Sequence, residues 1–175
     1  MASISRSRRS TAGIILIVAG VLILLTVVLP LVGITWLSFL ALLAYAAIAA
    51  AFVVLAVGAV INTVTKVALI AGAVGWAILV VAGLAIALPG IVITIAAVLA
   101  ALGGLVGAIV LYTGKEVTNR AALAFVVAAI LGVLYLLGLI GTFSLGSLGT
   151  IVVLLFGAAL IVTGVLFRQT ERGRR

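Results

Sequence analysis

The sequence predicts an all-α fold, a polytopic transmembrane helix bundle with six spans, and three observations support it. Hydrophobic residues make up 68% of the chain and charged residues 7%, whereas an ordinary globular domain is about half apolar and a quarter charged. The apolar residues form six long segments without Asp, Glu, Lys or Arg. The basic residues occur only in alternate gaps between those segments and at the two ends. Lipid is therefore the solvent for most of the chain.

Each segment is long enough to cross a bilayer as a helix, since about 20 residues at 1.5 Å each span a hydrocarbon core of about 30 Å. A strand barrel needs short alternating segments, and these runs are apolar on all sides. The long second segment is tilted or begins in the interface. We predict one domain over residues 1–175, with short basic tails at 1–10 and 168–175 and spans at 11–31, 36–62, 67–88, 90–113, 121–140 and 148–167.

The gaps between the segments are of two alternating kinds. "LPLVGITW" (29–36), "LPG" (88–90) and "IGTFSLGSLG" (140–149) are uncharged and rich in Pro, Gly and Ser. "NTVTK" (62–66), "TGKEVTNR" (113–120) and the tail "RQTERGRR" (168–175) are polar and basic. A soluble nucleic-acid-binding protein has no reason to sort its charges in this way. The net charge of +8 therefore indicates membrane topology and not nucleic-acid binding.

All ten basic residues fall on one side of the predicted topology. By the positive-inside rule this side is cytoplasmic, so we predict that both termini are cytoplasmic. The first segment is longer than the apolar core of a cleaved signal peptide, and we expect a retained anchor. The same cations attract anionic lipid headgroups. The residues that set this topology include Arg8, Arg9, Lys66, Lys115, Arg120 and Arg172.

A repeat with a period near 50 residues runs through the even-numbered segments. Gly58, Gly107 and Gly157 recur near their basic ends, and each is followed by Ala. The odd-numbered segments 17–30 and 79–90 both run from an Ala-Gly pair to a Pro at the uncharged turn. The chain therefore reads as three helical hairpins in series, each with an uncharged turn and a basic return.

The second hairpin carries "AGLAIALPG" (82–90) and "AAVLAALGGLVGAIVL" (96–111), and over residues 75–115 the chain resembles the HdeD-like small membrane proteins. That family has a short hairpin repeat of unknown function and is linked to bacterial acid resistance. The uncharged turn of the third hairpin lacks the proline that the first two hairpins have there, Pro30 and Pro89. The resemblance implies six spans in the cytoplasmic (inner) membrane of a prokaryote, and it supplies no catalytic residue.

The chain offers few groups for chemistry. It has no Cys and no His, and its only carboxylates are Glu116 and Glu171, which lie in separate basic segments. "TGKE" fails as a phosphate-binding loop, because Ile109 stands where the first glycine is needed and Glu116 where a hydroxyl is needed. Proton-coupled transporters place an ionisable residue inside a span, and this chain has none there. We therefore predict no catalytic, cofactor-binding or metal-binding residue, and no enzyme.

Two sets of residues inside the spans remain as candidates. Small residues let helix backbones approach closely, either within the bundle or against another subunit. Tyr45, Trp76 and Tyr135 lie deep and need partners for their polar atoms. They either bond a neighbouring helix carbonyl or line a cavity with Thr26 and Thr94. The candidate helix-packing residues are Gly58, Gly103, Gly107 and Gly157.

Two functions stay open from the sequence. The first is a non-enzymatic integral membrane protein that acts through helix packing, as an accessory or scaffold subunit or as a membrane stress protein of the HdeD type. The alternative is a passive channel or carrier for a small neutral or apolar solute. The expected partners are membrane lipid and a protein partner or a second copy. A bound lipid, quinone or pigment stays open as well, because an apolar groove has no sequence signature.

Overall fold

A computed structural model of the chain describes residues 2–33, 39–58, 62–84, 88–115, 117–141 and 147–169. They form six α-helices and, within these ranges, no strand. All six helices are long and apolar enough to cross a membrane, so the predicted six-helix membrane bundle is confirmed. The helices are α1 (Ala2–Leu31), α2 (Phe39–Gly58), α3 (Thr63–Gly83), α4 (Gly90–Thr113), α5 (Asn119–Leu139) and α6 (Ser147–Gln169).

The helix ends differ from the predicted spans mainly where polar residues continue a helix. The basic segment from residue 2 to residue 10 is helical and continuous with the rest of α1. The predicted gap at 62–66 contains the first turn of α3, because the Asn62 side chain accepts a hydrogen bond from the backbone N–H of Val64 at 2.8 Å and caps the helix. α2 has 20 residues, fewer than its apolar segment, and Trp36 lies outside the described residues.

Gly114 is the C-cap residue of α4. Its backbone N–H bonds the Val110 carbonyl at 2.8 Å, and its own conformation is right-handed. The left-handed residue is the next one, Lys115, with φ 52°. At the opposite end of the bundle the left-handed residues are glycines, Gly33 after α1 and Gly141 after α5, which have no Cβ to clash there.

The six helices form a closed ring. Each helix packs against its neighbours in the sequence, and α1 packs against α6. The backbones of opposite helices lie further apart, and α2 meets α5 and α3 meets α6 through side chains that cross the ring. Successive helices run antiparallel, so the three predicted hairpins are present but do not form separate units. The space inside the ring is filled by side chains, and the faces outside it are apolar.

Two seams of this ring bring helix backbones into direct contact. A Cβ atom at Gly20 would lie 2.5 Å from the Gly157 carbonyl oxygen, and one at Gly13 would lie 2.6 Å from the Gly164 carbonyl oxygen. The α3–α4 seam is equally close, because a Cβ atom at Gly75 would lie 2.5 Å from the Ala96 carbonyl oxygen. At both seams small residues let van der Waals contact hold antiparallel helices together in an apolar solvent.

Candidate functional site

The interior of the ring near its uncharged end is closed by four aromatic side chains from four helices. Tyr45 of α2 contacts Trp76 of α3, with ring centroids 5.3 Å apart. Trp76 stacks on Phe156 of α6 at 6.4 Å, and Phe156 stacks on Tyr135 of α5 at 5.4 Å. Tyr135 meets Tyr45 edge to face at 6.2 Å and completes the cycle. We call these four residues the aromatic closure.

The aromatic closure contains a hydrogen bond between two helices. The hydroxyl oxygens of Tyr45 and Tyr135 lie 2.5 Å apart, and one hydroxyl donates to the other. Tyr45 is 6% exposed, so this pairing removes the cost of a phenol that has no partner in an apolar interior. The structure therefore brings together Tyr45, Trp76 and Tyr135, all three deep polar aromatics that the sequence singled out.

A cavity shared with Thr26 and Thr94 was one of the two roles left open for these aromatic residues, and both threonines form hydrogen bonds within their own helices. The hydroxyl of Thr26 donates to the Ile23 carbonyl of its own helix at 2.6 Å, and that of Thr94 donates to the Gly90 carbonyl at 3.0 Å. Thr94 is exposed on the outer face of α4. Each hydroxyl is satisfied locally, and the tyrosines bond each other and not a helix carbonyl.

A second aromatic group fills the ring toward its basic end. Phe52 of α2 lies edge to face with Phe125 of α5, and Phe125 contacts Phe167 of α6, each pair with centroids 5.9 Å apart. Phe125 and Phe167 are each 1% exposed. The two aromatic groups together occupy most of the length of the interior.

The room left between the two aromatic groups is a cavity of about 20 Å³. A water molecule needs roughly this much space, but it also needs two to four polar partners, and apolar cavities stay dry. No charged side chain lines the cavity, and no hydroxyl or amide side chain does so. This cavity is therefore apolar and lacks the polar partners that would hold a water molecule. Its lining comprises Ile48, Phe52, Trp76, Ala100, Ala101, Gly104, Phe125, Ala128, Ala129, Gly132, Leu136, Phe156 and Leu160.

The four predicted packing glycines all contact residues of the same chain. Gly103 lies against the α3 backbone, since its Cβ would sit 2.5 Å from the Ala68 carbonyl oxygen. Gly107 faces the Leu69 side chain, and Gly157 faces Gly20 and Leu24 of α1. The remaining glycine is covered by an arginine: a side chain at Gly58 would overlap Cδ of Arg8. These are contacts within the bundle, one of the two roles left open for these glycines.

The basic residues in the described part of the chain lie at one end of the ring. Arg8 of α1 donates to the Val57 carbonyl near the end of α2 at 3.2 Å, and Arg168 of α6 approaches Gly13 of α1. Lys66 lies in the first turn of α3, Lys115 follows α4 and Arg120 lies in the first turn of α5, all at this same basic end. Arg9 belongs to the same turns of α1 as Arg8. Arg172 and Glu116 lie outside the described residues.

Some interior residues that matter were not singled out from the sequence. Gly13, Gly20 and Gly164 form the α1–α6 seam together with Gly157. Gly13 and Gly20 are seven residues apart on α1, and Gly157 and Gly164 are seven residues apart on α6. This matching spacing in the first and last helices is a signal that a search for facing pairs could have found. Phe156 carried no such signal, because an apolar aromatic residue in an apolar helix is equally compatible with lipid.

Comparison of the chain with protein-family models, with curated proteins and with solved structures gives no significant match.

Proposed function

We propose that this protein is a non-enzymatic integral membrane protein that acts through helix packing, as an accessory or scaffold subunit or as a membrane stress protein of the HdeD type. The packed interior carries this proposal: aromatic side chains fill the ring, and the cavity between them measures about 20 Å³. The resemblance of residues 75–115 to the HdeD-like proteins favours the same role. In this proposal the protein acts through its outer, lipid-facing surface and not through an internal path.

A partner in this proposal binds the lipid-facing surface, because the packing glycines are already in contact inside the ring. α5 presents an exposed row of large apolar side chains, Leu123, Val127, Ile130 and Leu134. Introduced cysteines test this directly, since the natural chain has no Cys. We expect crosslinks to a partner or a second copy from one set of lipid-facing positions, and none from a buried control position such as Ala128. A protein that purifies alone as a monomer, with no crosslink from any lipid-facing position, would contradict the proposal.

The alternative function is a passive channel or carrier for a small neutral or apolar solute. The meeting of Tyr45, Trp76 and Tyr135 in one cluster is the observation that favours it. Liposome flux measurements separate the two functions. We expect solute entry into proteoliposomes to match entry into empty vesicles for glycerol, urea and other small neutral solutes. Faster entry that changes with Tyr135→Phe, but not with the lipid-facing control Leu134→Ala, would support a channel instead.

A further inference from the structure

The first turns of α1 have a sequence that disfavours a helix, and yet they are helical. Residues 2–10 read "ASISRSRRS", with four serines and three arginines. Serine hydroxyls compete for the backbone groups that a helix needs, and cations near the N-terminus of a helix oppose its dipole. No acidic residue in the first turn offsets these cations. A contact with another part of the bundle is therefore needed to hold this segment in the helix.

Arg8 makes such a contact with the end of α2. Its guanidinium donates to the carbonyl of Val57, the next-to-last residue of α2, at 3.2 Å. The last four carbonyls of a helix have no partner within it, so this bond satisfies one of them. The arginine side chain lies across Gly58, where a Cβ atom would overlap Cδ of Arg8 and would lie 2.8 Å from its Nε. The glycine therefore leaves the room that the arginine occupies.

Charge favours the same contact, because α2 has no cation of its own at this end. The C-terminus of a helix carries about half a negative charge, which a nearby cation stabilises. α6 has Arg168 in its last turn and α4 is followed by Lys115, whereas the last turn of α2 contains no basic residue. Arg8 supplies the cation from the neighbouring helix, against which α2 packs.

From these observations we propose that residues 2–10 of α1 form a strap, which Arg8 closes on the end of α2 and for which Gly58 leaves the room. While Arg8 is in place, the strap is helical and the end of α2 is capped. When Arg8 is displaced, the strap frays and the Val57 carbonyl loses its donor. This device is conformational, and it is independent of the function proposed above.

Hydrogen exchange of the backbone amides in residues 4–10, measured by mass spectrometry on the purified protein, reports whether the strap is closed. We expect Arg8→Gln to speed this exchange by about three-fold, the effect of one cation at a helix end. Arg8→Lys keeps the charge without the planar guanidinium and should give an intermediate rate. Arg120→Gln is the matched control, because it removes a cation from the same end of the ring but from α5, and it should leave the exchange unchanged.

Gly58→Ala tests the room for the arginine without changing the sequence of the strap. We expect it to speed exchange in residues 4–10 about as much as Arg8→Gln does, because the new methyl group displaces the arginine side chain. In an Arg8→Ala background the same substitution should add nothing, since the side chain that it would overlap is gone. Gly90→Ala is the matched control, because a Cβ atom there has no neighbour within 4 Å.

Two results would overturn the strap. One is unchanged exchange in Arg8→Gln, which would mean that other contacts hold residues 2–10 in the helix. The other is an equal effect of Gly58→Ala with and without the arginine side chain, which would mean that the glycine serves a different contact. Circular dichroism and detergent elution of each variant check that the six-helix bundle is intact.

Discussion

Individual side chains in this interior are distinguished by whether their polar atoms find partners. Thr163 is fully buried and donates to the Ala159 carbonyl at 2.7 Å. Thr65 is also fully buried, yet its hydroxyl has no partner among the described residues. Tyr45 and Tyr135, which are 90 residues apart in sequence, satisfy each other. The same apolar setting therefore holds a hydroxyl bonded within its own helix, a hydroxyl pair bonded between helices and a hydroxyl without a partner, and each has a measurable consequence.

Thr65→Val is expected to stabilise the protein by about 1 kcal/mol, because it removes a buried hydroxyl without a partner and keeps the shape of the side chain. Thr163→Val is the matched control, since it removes a hydroxyl that is already bonded within its own helix, and it should give no gain. Reversible unfolding in mixed detergent measures both variants. If Thr65→Val loses stability, then the hydroxyl does have a partner.

The bond between Tyr45 and Tyr135 is expected to couple the two positions by roughly 0.6 kcal/mol, the average for such bonds between membrane helices. A double-mutant cycle with Tyr45→Phe, Tyr135→Phe and the double variant measures this coupling. Each substitution keeps the aromatic ring of the side chain and its contacts in the aromatic closure. Additive single effects would mean that the hydroxyl pair contributes no stability.

At the scale of helices, the ring closes through glycine contacts between the first helix and the last. The α1–α6 seam places Gly13 opposite Gly164 and Gly20 opposite Gly157, with backbone against backbone. Any side chain at these positions meets a carbonyl oxygen, which cannot rotate out of the way. The two helices at the ends of the chain are thus held as closely as any sequential pair, and the bundle has no free edge.

Gly20→Leu is expected to separate α1 from α6 and to destabilise the protein by about 3 kcal/mol, the upper range for an overpacked contact. Cysteines introduced at Ile17 and Ile161, which border the glycine contacts, should form a crosslink in the wild-type background and lose it in this variant. Gly90→Leu is the control, because a Cβ atom there would have no neighbour within 4 Å. An unchanged crosslink in Gly20→Leu would argue against the closed ring.

At the scale of the molecule, the ring has one uncharged end and one basic end. The starts of α1, α3 and α5 and the ends of α2, α4 and α6 all lie at the basic end. α1 therefore begins and α6 ends at the same end of the bundle. Which side of the membrane this is depends on charge and not on the packing of the helices.

A topology reporter fused after Arg175 is expected to be active on the cytoplasmic side, because the basic residues resist translocation. A reporter inserted at Ser144, in the uncharged segment between α5 and α6, should be active on the opposite side of the membrane. Neutralising Arg8, Arg9 and Lys66 together should produce a mixed orientation. The reverse pattern in the wild-type chain would overturn the predicted topology.

The sequence by itself determined the solvent, the number of helices and the sorting of charge, because hydropathy and charge act between each segment and the bilayer, whatever the other segments do. It also singled out Gly103 and Tyr135, but not their partners. Only the tertiary structure decided that Gly157 meets Gly20, that Tyr135 meets Tyr45, and that α1 closes the ring against α6. The physical reason is that lipid and bundle interior are equally apolar, so a helix that is apolar all round carries no mark of the face that turns inward.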